Sequence, residues 1–266
     1  IQMASTVTPC SLHNMDAKVP TIPFYTDLHK QYIRELGEKT DSYEYQVTEH
    51  LRMSGIYWGF TAMSLLRSED QMNPQSIVQW VMAGYQHDAA TNTGGWGGNN
   101  GHDVHLLYTT SAIQILAIAG QLERLTDNDN EKKKAIVKGI RALQQDDGSF
   151  AGDKWLEIDT RFSYCAMLSL SILNRLDAVN VSQSNAFVHS CQNFDGGYGC
   201  VPGAESHAGQ IFCCVGALSV SGVVVVVVVE CALWIASSFL LMSMVLVVLS
   251  FSFARPDRQW VGQRGS

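Results

Sequence analysis

Apolar residues recur at helical spacing along most of this chain, and the stretches they define alternate in character. Phe24, Leu28, Tyr32, Ile33 and Leu36 share one face of a helix predicted over Tyr25–Gly37. A second is predicted over Glu49–Leu66, dominated by Leu51, Ile56, Trp58, Phe60, Met63 and Leu66. Beyond it the pattern comes in pairs. Helix-like stretches at Pro74–Tyr85, Lys132–Leu143 and Val181–Cys191 are each followed by a more apolar one, at Leu106–Ala119, Phe162–Leu176 and Gln210–Leu218. The apolar members are expected to pack inward and the charged ones, such as Glu131–Arg141, to face solvent. Residues 1–24 contain Thr, Ser and Pro without a period and are expected to form a loose arm.

The turn inside each pair repeats. Gln86-His87-Asp88 leads to Gly94-Gly95-Trp96-Gly97. The second copy is Gln144-Gln145-Asp146-Asp147-Gly148-Ser149-Phe150-Ala151-Gly152, and the third Gln192-Asn193-Phe194-Asp195-Gly196-Gly197-Tyr198-Gly199. A unit of helix, glycine-rich turn and helix, about 50 residues long, predicts stacked helical hairpins. Glycine permits the backbone reversal, and the aromatic residue fills the space between neighbouring hairpins. No Gly-Lys-Ser/Thr follows any of these turns, so none reads as a phosphate-binding loop.

Composition sharpens this picture at one end. The hydrophobic fraction of 46% is ordinary, but residues 220–254 carry a single charge, Glu230. The net charge of −7 and the absence of a basic stripe argue against a nucleic-acid partner, and Lys132–Lys134 read as a solvated helix face. Seven cysteines form no CxxC pair or regular framework, which predicts a reducing, cytoplasmic setting. The chain opens Ile1-Gln2-Met3, which makes Met3 a candidate start.

If the hairpins close around an axis, the starts of the inner helices point at one cavity. Counting from polar residues pairs Asp103 with Tyr108, Asp159 with Tyr164 and His207 with Phe212, each five apart, and places one ring on each inner helix. His105, Arg161 and His207 stand at the mouth. An aromatic-lined hole with cations at its rim suits a long apolar chain with an anionic head. For Arg161, a salt bridge to Asp159 or Asp153 and a ligand contact are both open. His207 is read either as a turn residue or as a ligand contact, and its place between Ser206 and Gly209 favours the second. Gly101-His102-Asp103-Val104-His105 lacks a third ligand nearby and is not assigned a metal.

Four stretches then carry a family resemblance: Leu51-Arg52-Met53-Ser54-Gly55-Ile56-Tyr57-Trp58-Gly59, Asp147-Gly148-Ser149-Phe150-Ala151-Gly152-Asp153, Glu157-Ile158-Asp159-Thr160-Arg161-Phe162-Ser163-Tyr164-Cys165, and Ser206-His207-Ala208-Gly209-Gln210-Ile211-Phe212-Cys213-Cys214. Over Tyr25–Leu218 the chain resembles the β subunits of Rab geranylgeranyltransferases, a branch of the protein prenyltransferase family. The resemblance implies an all-α, α/α barrel holding geranylgeranyl diphosphate. Ser54, Tyr57, Trp58, Tyr164 and Phe212 would line the isoprenoid tunnel, with Ser54 leaving depth for a twenty-carbon chain. His207, Ala208 and Gly209 would contact the diphosphate, and Arg161 matches a cavity arginine. It further implies zinc, an α subunit and a Rab–escort protein complex as partners. A triterpene cyclase, which has similar turns, would want an Asp-rich acid motif that is not found.

The family's Arg/Lys pair, its Asp-x-Cys zinc pair and its later zinc His have no counterpart after Leu218. Glu230 and Cys231 are adjacent, Asp257 has no Cys two positions on, and no His follows His207. The expected organisation is therefore an arm over 1–24, an incomplete barrel over 25–219 and a non-family tail over 220–266. That reading makes the chain a catalytically incomplete β subunit, with a non-catalytic form binding the α subunit or isoprenoid as the alternative. No catalytic residue is assigned. In the tail, Val223–Val229 precede a charge-free run of 24 residues, Cys231–Ala254, long enough to span a membrane. A membrane anchor and an alternative or intron-read-through terminus both fit, and the break in mid-helix inside a repeat favours the second.

Overall fold

A computed structural model describes residues 24–222, apart from the side chains of 127–130. The predicted arm (but for Phe24) and the tail from Val223 lie outside the described residues. The helices among them are α1 (Thr26–Glu38), α2 (Tyr43–Val47), α3 (Arg52–Leu65), α4 (Pro74–Ala83), α5 (Leu106–Ile118), α6 (Asp127–Ala142), α7 (Thr160–Ile172), α8 (Val181–Ser190) and α9 (Ala208–Val220). Two short strands, β1 (Gln86–Asp88) and β2 (Thr93–Gly95), pair antiparallel in the first turn, with Gln86 opposite Gly95.

Helices α3, α5, α7 and α9 pack side by side as one row, and α4, α6 and α8 alternate with them in sequence. Burial follows that placement. Helix α7 has neighbours on both sides and buries every residue from Phe162 to Leu170, whereas α9, the last of the row among the described residues, buries only Cys214, Gly216, Ala217 and Leu218. The predicted inner and outer assignments hold throughout.

The turn chemistry explains why the hairpins are alike. In the second copy Gly148 donates its N–H to the Gln145 carbonyl, Gln145 donates to Ser149, and the Asp147 carboxylate accepts from the Ser149 N–H. In the third copy Gly196, Asn193, Gly197 and Asp195 repeat this set bond for bond. Gly148 and Gly196 hold φ of 89° and 82°, a left-handed conformation that only glycine adopts freely. The first turn is longer and forms the β1–β2 hairpin instead.

Each turn then seals a layer of the core. Trp96, Phe150 and Tyr198 occupy the same place in their copies and are buried. The starts of α3, α5 and α7 are also tied to the following turn. The Met53 N–H donates to the Gly98 carbonyl at 2.8 Å, Leu106 to Gly152 at 2.8 Å and Thr160 to Cys200 at 2.9 Å. These bonds satisfy amides that a helix start leaves without an internal partner.

The expected register needs a correction. Inner helices α5, α7 and α9 are capped by His105, Asp159 and His207, which stand nine positions after Trp96, Phe150 and Tyr198. The counterpart of Asp159 is therefore His105, not Asp103. Five positions past the cap, α7 and α9 carry Tyr164 and Phe212, but α5 carries Thr110. Tyr108 instead aligns with Phe162. The turn aromatic and the cap set the register because both are fixed by backbone hydrogen bonds, whereas Asp103 lies on the connecting loop.

Candidate functional site

The three caps use a side-chain atom to accept the N–H two residues on. His105 Nδ1 accepts from Leu107 at 3.1 Å, Asp159 Oδ1 from Arg161 at 2.8 Å, and His207 Nδ1 from Gly209 at 3.0 Å. The bond from Met53 to Gly98, equivalent to that from Leu106 to Gly152, brings α3 into the same register. Ser54, Leu107, Arg161 and Gly209 then share one level of the inner wall. Tyr57, Thr110, Tyr164 and Phe212 share the next, one turn deeper. The expected site residues thus fall into two adjacent levels near the starts of the inner helices, with Ala208 between His207 and Gly209 and Trp58 beside Tyr57.

The upper level is polar. Arg161 Nη2 lies 2.9 Å from Asp159 Oδ2 and 3.6 Å from Glu157 Oε1, so the expected bridge forms with Asp159, and with Glu157 rather than Asp153. The hydrogen bond to Asp159 raises the Arg161 pKa, against the opposing effect of burial. The Asp159 side chain is 10% exposed and that of Arg161 45%, so the guanidinium retains a free edge toward solvent. His207 is exposed. Its Nδ1 is held by the cap, which leaves Nε2 as the nitrogen able to donate outward.

The lower level is aromatic. The rings of Tyr164 and Phe212 meet edge to face with centroids 5.3 Å apart. Gly216 permits this pairing, since a Cβ there would fall 2.6 Å from Tyr164 Cε2. The Tyr57 hydroxyl accepts from Gln114 Nε2 at 2.8 Å, and Ser54 Oγ lies 3.2 Å from Ser111 Oγ between α3 and α5. The buried Tyr164 hydroxyl has no hydrogen-bond partner. Burial raises the pKa of both phenols, that of Tyr164 well above its ordinary value with a further contribution from nearby Tyr57. Trp58 is exposed.

Cysteines line the same wall without offering a nucleophile. Burial pushes Cys165 up to about 11 and Cys213 well above its ordinary range, so both are thiols at neutral pH. Cys165, Cys191, Cys200, Cys213 and Cys214 are all free.

His105 plays a different part from His207. It is half-buried, edge to face with Phe162 at 5.3 Å and tilted against Tyr108 at 5.7 Å. Burial lowers its pKa from 6.5, although Asp153 and Glu157 act in the opposite sense. The cap also requires a neutral ring, because a protonated Nδ1 cannot accept. A depressed folded pKa means that the contribution is present above the unfolded value and is lost as pH falls toward the folded one. His105→Asn keeps a capping oxygen and removes the titration. Thermal midpoints between about pH 7 and pH 5 are therefore expected to fall more steeply for the parent chain than for the variant. Parallel slopes would exclude this role.

Two cavities lie outside this wall. One of about 520 Å³ sits beside the first turn and the loop after Gly152, and one of about 260 Å³ lies between α6 and the Arg175–Ala178 segment. Among the described residues no group of three or more His, Cys, Asp or Glu is placed to hold a metal ion. The His102, Asp103 and His105 side chains diverge: toward Glu49 at 3.4 Å, toward Lys154 at 3.1 Å and onto the α5 cap. Among the described residues no helix is long and apolar enough to cross a membrane.

A row of inner helices alternating with outer ones, joined by glycine turns, defines an α/α toroid. Residues 24–243 match the prenyltransferase alpha-alpha toroid domain, a span that runs past the boundary expected at Ser219 into residues not described. The chain is 41% identical over 214 residues to the geranylgeranyl transferase type-2 subunit beta of Candida albicans, covering 79% of this chain and 61% of that protein. It is 42% identical over 193 residues to the Saccharomyces cerevisiae protein of that name, covering 73% and 57%. With the type-2 subunit beta 1 of Arabidopsis thaliana it shares 48% over 201 residues, 76% and 59% of the two chains. A solved structure, Candida albicans protein geranylgeranyltransferase-I complexed with GGPP, superposes with a TM-score of 0.65 at 16% identity, covering 76% of this chain and 60% of that one. The chain belongs to the prenyltransferase alpha-alpha toroid family, and it spans about three fifths of the length of these relatives.

Proposed function

We propose that this chain supplies the isoprenoid-binding wall of a type II protein geranylgeranyltransferase β subunit. The reaction moves a geranylgeranyl group from its diphosphate to C-terminal cysteines of Rab GTPases. The observation that carries the reading is the two-level register: Ser54 and the charged Arg161 above, with Leu107 and Gly209 between polar caps, and three aromatic rings, Tyr57, Tyr164 and Phe212, below, with Thr110. A long hydrocarbon with a charged head asks for that order. The type-2 β relatives at 41–48% identity support the same assignment.

In the transfer a bond forms between the cysteine sulfur and C1 of the isoprenoid, and the C1–oxygen bond breaks as diphosphate leaves. In this reading the Arg161 guanidinium and His207 Nε2 meet the negative charge that develops on the leaving group, and the start of α9 adds its dipole. The aromatic level holds the tail and excludes water. Among the described residues no group of His, Cys, Asp or Glu is placed to hold the zinc ion that the resemblance implies, and in this reading their part is toward the lipid. A second reading is a non-catalytic form that binds the α subunit or the isoprenoid. Turnover and zinc content, measured on the chain co-expressed with an α subunit, separate the two. The first reading gives the chain an α subunit and a Rab–escort protein complex as partners, and a cytoplasmic location.

The lipid site is tested with His207→Asn, which preserves the α9 cap and removes the outward nitrogen. Affinity for geranylgeranyl diphosphate is expected to fall by roughly tenfold, about 1.4 kcal/mol, while that for geranylgeraniol stays unchanged. Equal losses for both, or no loss for either, would remove His207 from the diphosphate site.

A further inference from the structure

The cavity of about 520 Å³ beside the first turn belongs to neither level of the lipid wall. Its floor is apolar, made by Leu106 at the start of α5 with Ile140 and Leu143 at the end of α6. Val104 and Leu156 carry the apolar surface out to the edge, being 38% and 59% exposed, and Trp155 stands next to Leu156 at 75%. Large apolar side chains exposed around an apolar hollow mark a surface meant to be covered.

The rim has the opposite character. Asp88, Asp103 and Asp153 border the hollow with Lys154 as the one ammonium among the lining residues. That ammonium is already spent on Asp103 at 3.1 Å, and it stacks over the Trp155 ring at 5.3 Å. Asp88 accepts from Ala90 N–H and the Thr91 hydroxyl, and Asp153 from Trp155 N–H, while the nearby Lys138 ammonium is directed at the Thr91 carbonyl. His87 on the same rim is bonded to Asn92. These bonds on Asp88 hold its carboxyl below the usual range. Leu156 adds one more feature, a φ of 64°, which a leucine adopts only under constraint and which carries its side chain onto the lining.

We propose that this hollow docks a peptide segment of a partner protein, in which an apolar side chain fills the cavity and flanking Arg or Lys residues meet Asp88 and Asp153. The volume lies in the range of one anchored group, and the charge on the rim selects the sign of the flanks. The lipid chemistry of the inner wall plays no part in this site, so the two stand or fall separately.

Fluorescence anisotropy with three labelled peptides on the full chain co-expressed with an α subunit tests it. One alternates Arg with Leu around a central Phe, one replaces every Arg by Glu, and one replaces Leu and Phe by Ser. The first is expected to bind saturably, and each of the others at least roughly tenfold more weakly. Leu156→Gly removes the apolar edge while relieving the left-handed strain. It should weaken the first peptide by about tenfold with an unchanged or raised melting temperature. Asp153→Asn retains the turn acceptor and should cost roughly threefold. Binding of the Glu or Ser peptide as tight as the first would overturn the proposal. So would failure of the first peptide to bind, or indifference to Leu156→Gly. Displacement of the bound peptide by geranylgeranyl diphosphate would move its site to the inner wall and overturn it equally.

Discussion

Replacing Gly148 by alanine is expected to destabilise the chain by about 3–5 kcal/mol, whereas the same change at Gly196 should cost only about 1 kcal/mol. The two glycines share one turn geometry, and φ near 85° penalises a side chain equally at both. What differs is the surroundings. A Cβ at Gly148 would press on the backbone carbonyl of Gln183 in α8, while at Gly196 nothing lies within 4 Å. The second turn is fastened to the start of α8 by Gln144, which exchanges two hydrogen bonds with Asn180, and by Gln183, which donates to the Asp146 carbonyl. That backbone therefore has little room to retreat. Urea unfolding of both variants measures the difference, and similar losses at the two sites would show that conformation alone decides the cost.

Trp96→Ala is expected to cost about 3–5 kcal/mol, and Trp96→Phe about 1–2 kcal/mol. The indole is wholly buried, meets Tyr85 edge to face at 5.2 Å, and donates from Nε1 to the Val81 carbonyl at 2.7 Å. Alanine removes both the ring and the bond, leaving a hole beneath α5. Phenylalanine removes the bond and part of the volume, and Phe150 shows that a benzene ring fills the same place in the next copy. Equal losses for the two variants would mean that the Val81 bond, not the volume, makes the site.

The helices were legible because their apolar positions follow a helical period and their ends are marked by Gly, Asp and Asn. The starts of α5 and α9, at Leu106 and Ala208, fall within two residues of the expected ones. Helix α2 was missed: five residues carry too little period, and only the Ser42 cap, which accepts from Tyr45, signals it. Register along the inner wall was misjudged in the first copy because Asp103, an acid on the connecting loop, was counted as the counterpart of the Asp159 cap. Counting from Trp96 rather than from an acid would have found His105 as the cap.

Contacts between copies were out of reach of pattern. Ser54 meets Ser111, and Tyr57 meets Gln114, each 57 positions away. Neither partner stands out in its own stretch. The exposed apolar stripe of α1, with Leu28, Tyr32 and Leu36, was predicted as one face of a helix, yet no sequence period states what lies against such a face.

The bonds from Met53 to Gly98, Leu106 to Gly152 and Thr160 to Cys200 give the array a direction. Each runs from an earlier helix to a later turn, never the reverse. A hairpin emerging during synthesis thus keeps one bare amide until the next turn has been made. Growth from the N-terminus completes the units in the order in which the ribosome delivers them, each finished by its successor.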